Sequence, residues 1–389
     1  MILDFDRLVN HEQLALINKM KSVFTMFITG TLLTSGMLAV AGTPWLTSSG
    51  SWAITRKLPV SRYDHTATRL NGGKVLVAGG NVDSSTGAND TILYDPARAK
   101  WRSTGPLNEA RSEHTATLLH TEQVLVAGGN SSSPPYYLSS AELYDPITGI
   151  WSVTGSMATE RSLHTATLLR DGKVLVAGGQ SIGQIAVSSA ELFDPTTGTW
   201  SSAGNMSVPR QNHTATLLAN GQVLVAGGQL PDGHTYYSSA ELYDPATGGW
   251  SLTGSMAAPH SNHVAIELAS TLVLVAGGSL SANQTSELYD YLSGSFFSGG
   301  NLVRNGGYEN AVLLSSGQVL LEGGIGRQGP AIKTAQLYDP ISGQWVATAP
   351  MHKGRYGHTA TLLSNGTVLV TSGLGIGSNW MDSCEIYTP

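Results

Sequence analysis

The sequence predicts an all-β fold, a ring of seven sheets with four antiparallel strands in each, and three periodic features carry that prediction. Tryptophans stand at Trp52, Trp101, Trp151, Trp200, Trp250 and Trp345, with Phe296 filling the one gap. Double glycines stand at Gly79-Gly80, Gly128-Gly129, Gly178-Gly179, Gly227-Gly228, Gly277-Gly278 and Gly323-Gly324, and Ser372-Gly373 takes the seventh place. An aromatic residue followed by Asp, or by Thr at the last position, recurs at Tyr94, Tyr144, Phe193, Tyr243, Tyr289, Tyr338 and Tyr387. Seven units of about 49 residues follow.

Within a unit, the run HTATLL (164–169) opens with β-branched and apolar residues and reads as a first strand. Arg170-Asp171-Gly172 turns the chain into KVLVAGG, where Val174 and Val176 alternate with Leu175 and Ala177. Both faces of that strand are apolar, as a sheet held between two others requires. SAELYD is the third strand, and Pro146 and Gly149 set up a tight hairpin in DPITG (145–149). Trp151 then opens the fourth strand. An open solenoid needs polar capping units, and none is visible.

The two ends of the repeat region complement each other. GSW (50–52) reads as a fourth strand without its first three, and EIYTP (385–389) as a third strand without its fourth. Their pairing completes the seventh blade and removes the open sheet edge. Trp52→Ala is therefore expected to cost about 3–5 kcal/mol, as for a buried Trp, in addition to the lost closure.

The 389 residues include only 12% charged ones and 46 glycines, a mix suited to strands and turns. Net charge is −6 and there is no basic cluster, so no nucleic acid is expected as a partner. The single cysteine, Cys384, excludes an intramolecular disulfide framework and a thiolate metal cluster. The uncharged run from Val23 to Ala41 follows Lys19 and Lys21 and ends Ala39-Val40-Ala41, which reads as a signal peptide cleaved before Gly42. Its length also suits an uncleaved membrane anchor. The organisation expected is thus a signal peptide over 1–41, whose first 19 residues resemble an overlong start before Met20-Lys21, a linker over 42–49, and the propeller over 50–389. The mature protein is expected to be a monomer, secreted or held at the cell surface or in the periplasm, with no membrane span after cleavage.

Gly-Gly, then Tyr-Asp-Pro some fifteen residues on, then Trp, make a kelch motif. The chain resembles the kelch β-propellers of the galactose-oxidase-like superfamily over about residues 50–389, and its HTATLL…GxVLVAGG spelling is similar to secreted bacterial kelch-repeat proteins. The resemblance implies a seven-bladed propeller with its first strand innermost, most often a binding scaffold and in a few cases an enzyme.

Six units carry a histidine at the head of the first strand: His65, His114, His164, His213, His263 and His358. Symmetry keeps these a blade apart, too far to share a metal ion, so they read as hydrogen-bonded structural groups. Three residues earlier stand Arg62, Arg111, Arg161, Arg210 and Arg355, with His260 in the fifth unit. Two readings remain open: pairing with the glutamates of the third strand (Glu142, Glu191, Glu241, Glu287 and Glu385), or a ring of guanidiniums at one mouth that receives carboxylate or sulfate groups. Asp-Pro aspartates read as turn formers.

A catalytic site needs different groups converging on one atom, so it should appear as departures from the repeat. Unit six departs most, with Glu309 in the histidine slot, Gly306 in the arginine slot and Glu322 before Gly-Gly; function and decay of a copy both explain Glu309. Loops at 130–140, 229–239 and 374–383 carry Tyr136, Tyr137, Tyr236, Tyr237 and Trp380, aromatics that either recognise a partner or lie over neighbouring blades. The function expected is a binding scaffold for a protein or glycan, acting through loops at the channel mouths, with no catalytic residue, no metal and no cofactor assigned. The alternatives are a carbohydrate epimerase, lyase or hydrolase using Arg, His and Glu309. Least favoured is a copper-radical oxidase like galactose oxidase. The resemblance gives that enzyme a tyrosine cross-linked to a cysteine, a second tyrosine and two histidines at copper, whereas Cys384 falls in the small-residue slot of a third strand.

Overall fold

The computed structural model describes residues 50–82, 87–278, 285–304, 306–326 and 329–389. The proposed signal peptide and linker (1–49) lie outside the described residues. Seven four-stranded antiparallel sheets form a propeller. Blade two is typical: Thr115–Leu118, Val124–Ala127, Ala141–Asp145 and Ile150–Val153, paired in that order. First strands of successive blades contact one another all the way round, so they line the axis.

The predicted closure is observed. Ser51–Thr55 pairs with Cys384–Thr388, with Trp52 opposite Tyr387, and supplies the fourth strand of the seventh blade. Trp52 stacks on Tyr387 at 5.0 Å between ring centroids, the same geometry as Tyr144 on Trp151 within blade two. Its indole Nε1 donates to Ala349 O at 2.7 Å, in the preceding blade. Trp52 is half-buried, unlike Trp151 and Trp345, so its truncation belongs at or below the lower end of the range for buried tryptophans.

Cores lie between blades. Val174 and Val176 face Leu125 and Ala127 of the preceding blade, while Leu175 and Ala177 face Val223 and Val225 of the next, which is why the second strand is apolar on both sides. The Asp-Pro turn works as its residues suggest: Asp145 Oδ1 accepts the Ile147 N–H at 2.8 Å, and Gly149 closes the turn at φ 73°.

The double glycine is a notch for the neighbouring blade. A Cβ on Gly128 would strike the carbonyl of Arg161 and come within 2.7 Å of His164 Cε1, both in blade three. A Cβ on Gly129 would strike Ser112 O at 2.5 Å and His114 Cβ at 2.8 Å, in its own blade. Both residues also have positive φ, which glycine adopts freely.

Candidate functional site

The residues around the head of each first strand form two buried frames with an open slot between them. The inner frame is the histidine. Nε2 of His114, His164, His213 and His263 hydrogen-bonds the threonine hydroxyl of the preceding blade, Thr66, Thr115, Thr165 and Thr214, at 2.9–3.0 Å. His65 closes the circle on Thr371 and Thr359 of blade seven at 2.9 and 3.1 Å. Burial pushes the pKa of His114, His164 and His213 down to about 3, with nearby arginine charge adding to it, so these rings are neutral.

The outer frame is the arginine. Arg62, Arg111, Arg161, Arg210 and Arg355 are 0% exposed. Nη2 of Arg111, Arg161, Arg210 and Arg355 contacts Glu142, Glu191, Glu241 and Glu385 of the same blade at 2.7–2.9 Å. Nη1 of each donates to the carbonyl of the first residue of the glycine pair. Blade one has Ile92 at the position where five other blades have Glu, and Arg62 pairs instead with Asp90 at 2.6 Å. His260 lies 3.5 Å from Glu287. In blade six both members change together, to Gly306 and Gln336, and Gln336 Nε2 donates to Arg304 O. The arrangement is that of the pairing alternative, and no guanidinium of the five opens to solvent.

Between arginine and histidine, the slot immediately before the histidine is occupied in turn by Asp64, Glu113, Leu163, Asn212, Asn262, Tyr308 and Gly357. Each has φ between 50° and 59°, the left-handed region. That conformation aims six slot N–H groups at the slot carbonyl of the preceding blade: Asp64 to Gly357, Glu113 to Asp64, Leu163 to Glu113, Asn212 to Leu163, Asn262 to Asn212 and Tyr308 to Asn262, at 3.0–3.4 Å. The backbone thus forms a hydrogen-bonded collar around one mouth of the channel. Every slot residue reaches solvent while its arginine and histidine neighbours in the sequence pattern are buried.

The collar is where the molecule's chemical variety is concentrated, and sequence reasoning missed it. Tyr63 and Tyr356 stand one residue before it, and Tyr63 packs edge-on against Trp380 at 4.8 Å. The aromatic loops rise at the same mouth: Tyr137 and Tyr236 pair with Asn130 and Gln229, which in turn pair with Ser112 and Gln211 beside the collar. Tyr136 points outward, 60% exposed, and Tyr237 lies 5.3 Å from the Arg210 guanidinium across its ring face. The structure therefore brings Tyr137, Tyr236 and Trp380 to the collar and leaves the five arginines behind it.

Glu309 is 8% exposed, in the histidine frame. Val264 stands where the preceding blade would offer a threonine, and Glu309 Oε2 is buried without a hydrogen-bond partner. Burial pushes its pKa well above the ordinary range, and Glu322 adds to the shift. Glu322 accepts from His358 Nε2 at 2.9 and 3.0 Å, in place of the hydroxyl lost where Asn310 replaces threonine. Among the described residues, no three His, Cys, Asp or Glu side chains are placed to hold a metal ion.

Comparison with known proteins bears on the fold and the family. A copper-complexed fungal alcohol oxidase, described as novel and as showing catalytic diversity among the AA5 family, superposes with a TM-score of 0.72 over 88% of this chain and 77% of its own, at 19% identity. At that identity the likeness speaks for the fold. No curated protein matches the sequence. The family profile of the Attractin/LZTR1 beta-propeller matches residues 46–243, just over half of the 389 residues, and the chain belongs to that family.

Proposed function

We propose that the protein is an interaction scaffold that engages its partner at the collared mouth. One observation carries this: buried frames that repeat in most blades hold seven slot residues, from Gly357 to Tyr308, that differ in charge, size and polarity and all reach solvent. Residues needed only for packing would repeat with the blades, as the histidines and threonines do. A rigid backbone collar limits the ordering entropy of binding, which favours recognition by side chains alone. Export through the segment 23–41 is part of the same proposal, and the partner would then be extracellular or periplasmic.

The oxidase reading meets a poor donor set. Cys384 sits in the third strand of blade seven, fully buried, opposite Thr55 and Thr371, and burial pushes its thiol up to about 12. Nε2 of each histidine in the inner frame is already engaged by a neighbouring blade. These residues do not fit a copper centre built from a cysteine-linked tyrosine and two free histidines.

Cross-linking mass spectrometry of the full chain with captured partners tests the proposal. Cross-links should cluster around 63–64, 113, 212, 308 and 380, and replacing Asn212, Asn262 and Tyr308 by Ala should abolish capture. Cross-links confined to the outer strands would remove the mouth from consideration. Copper-dependent peroxide production from alcohols would replace the scaffold by an oxidase.

A further inference from the structure

Two of the seven slot residues are carboxylates, they are consecutive in the collar, and among the described residues no basic side chain pairs with either. The Glu113 N–H donates to the Asp64 carbonyl at 3.1 Å, so the two side chains leave adjacent points of the ring. Among the described residues, the Asp64 carboxylate accepts no hydrogen bond and has no ion-pair partner. It rests where Gly357 has no side chain: a Cβ there would meet Asp64 Oδ1 at 3.1 Å and the Tyr63 ring at 3.4 Å. Glu113 Oε2 accepts one bond, from Asn130 Nδ2 at 2.6 Å, and Asn130 Oδ1 is itself buried with no donor. The Asp64 carboxylate thus meets solvent where no protein donor reaches it, and beside it Asn130 Oδ1 is a buried acceptor without a donor, a condition native structures normally avoid.

Its walls are aromatic. Tyr63 and Tyr308 feel the charges of this site: Asp64 and Glu113 raise their pKa behind the larger effect of burial, and the neighbouring Tyr356 adds to both. Trp380 backs Tyr63. Tyrosine faces attract cations through their ring quadrupole. Burial, with the repulsion of Glu113 second, pushes the Asp64 carboxyl up to about 8, and Glu113 is raised by burial against hydrogen bonds from Asn130 and Ser162. A positive group brought between them would relieve this. The whole chain is anionic at −6, which steers a cation toward it.

Resting on the scaffold reading above, we propose that the partner is a protein, and that it inserts one basic side chain, lysine or arginine, into the mouth between Asp64 and Glu113 with the ring faces of Tyr63, Tyr308 and Tyr356 around its stem. An amine or guanidinium brings three to five N–H donors, which matches acceptors lacking them. Its apolar stem suits the aromatic wall.

The test is selection of a displayed random peptide library on the full chain, run beside the double variant Asp64→Asn, Glu113→Gln and beside a glycan array. Neither substitution adds bulk, and asparagine tolerates the left-handed conformation of position 64; a melting temperature at or above that of the wild type confirms that the variant ring is intact. Enriched peptides should share one lysine or arginine, lose at least tenfold in affinity when it becomes norleucine or citrulline, and lose at least tenfold on the double variant. Their affinity should also rise with pH between about 6 and 9 on the wild type, as the carboxyl ionises, and stay level on Asp64→Asn. Peptides that bind equally well without a basic residue, or equally well to the double variant, would overturn the inference and leave the scaffold reading intact. Saturable glycan binding with no peptide enrichment would do the same. Failure of peptides and glycans alike to bind the wild type would overturn both.

Discussion

The seam between blades three and four and the seam between blades five and six are built on one plan with different contents. In the first, Thr165 meets His213, Gly178 leaves room for the imidazole, and the Gly179 N–H donates to Arg210 O at 2.9 Å. In the second, Val264 meets Glu309, whose carboxyl crowds the space over Gly277, and Gly306 stands where an arginine would. The first seam ties its blades with a neutral threonine–histidine bond and the Arg210–Glu241 ion pair, and leaves single ring or guanidinium nitrogens, His213 Nδ1 and Arg210 Nε, without a partner. The second buries a carboxyl with an unmet oxygen. A repeated blade can therefore lose its polar frame as long as its apolar layers, here Leu274, Ala276, Val319 and Leu321, remain.

The largest expected break in that comparison is Arg161→Ala. It leaves Glu191 buried without its cation, and chemical denaturation should show a loss of about 3–5 kcal/mol. His260→Ala in blade five, where the corresponding contact is 3.5 Å, should lose clearly less. Next is His213→Ala, which removes the Thr165 bond and opens a void beside Gly178; a loss of about 2–3 kcal/mol by the same measurement is expected.

Converting the divergent seam to the regular one sharpens the contrast. Val264→Thr or Glu309→His alone should gain little, whereas the pair together should show a favourable coupling of about 1 kcal/mol in a double-mutant cycle. Zero coupling would mean that the threonine–histidine bond is incidental to the seam.

The smallest effect is in the pH dependence. His114, His164 and His213 have folded pKa values near 3, below the unfolded value, so the stability they carry is present above about 6.5 and lost as pH falls toward 3. Glu309 acts in the opposite sense. Its folded pKa is raised, so its contribution is present at acid pH and lost as pH rises. Melting temperatures should decline on both sides, with Glu309→Gln flattening the alkaline side and His213→Gln the acid side.

Much of this was legible in residue spacing. Tryptophans and double glycines count the blades, and the pairing of Trp52 with Tyr387 follows from which strands the two ends lack. The Arg161–Glu191 pair was foreseeable because both partners repeat. The collar was not, since its residues share only a backbone conformation. Asp64, Leu163 and Tyr308 look unrelated in a sequence, and they become one structure only when seven left-handed residues meet around an axis. The rescue of His358 by Glu322 was hidden for a related reason: two exceptions within blade six, Asn310 and Glu322, compensate for each other at a regular histidine of the next blade.

Near-identical units carry a hazard of their own, because a strand displaced by one whole repeat would meet almost the same partners. Thr115 would accept His213 as readily as His164. The odd contacts break that degeneracy. The pairs Arg62–Asp90 and His358–Glu322 recur in no other described blade, and Trp52, although its contact with Tyr387 repeats the Tyr–Trp pair of other blades, completes the one sheet whose fourth strand comes from the far end of the repeat region. The irregular blades thus serve as address labels during assembly, telling a nascent chain which neighbour is the right one.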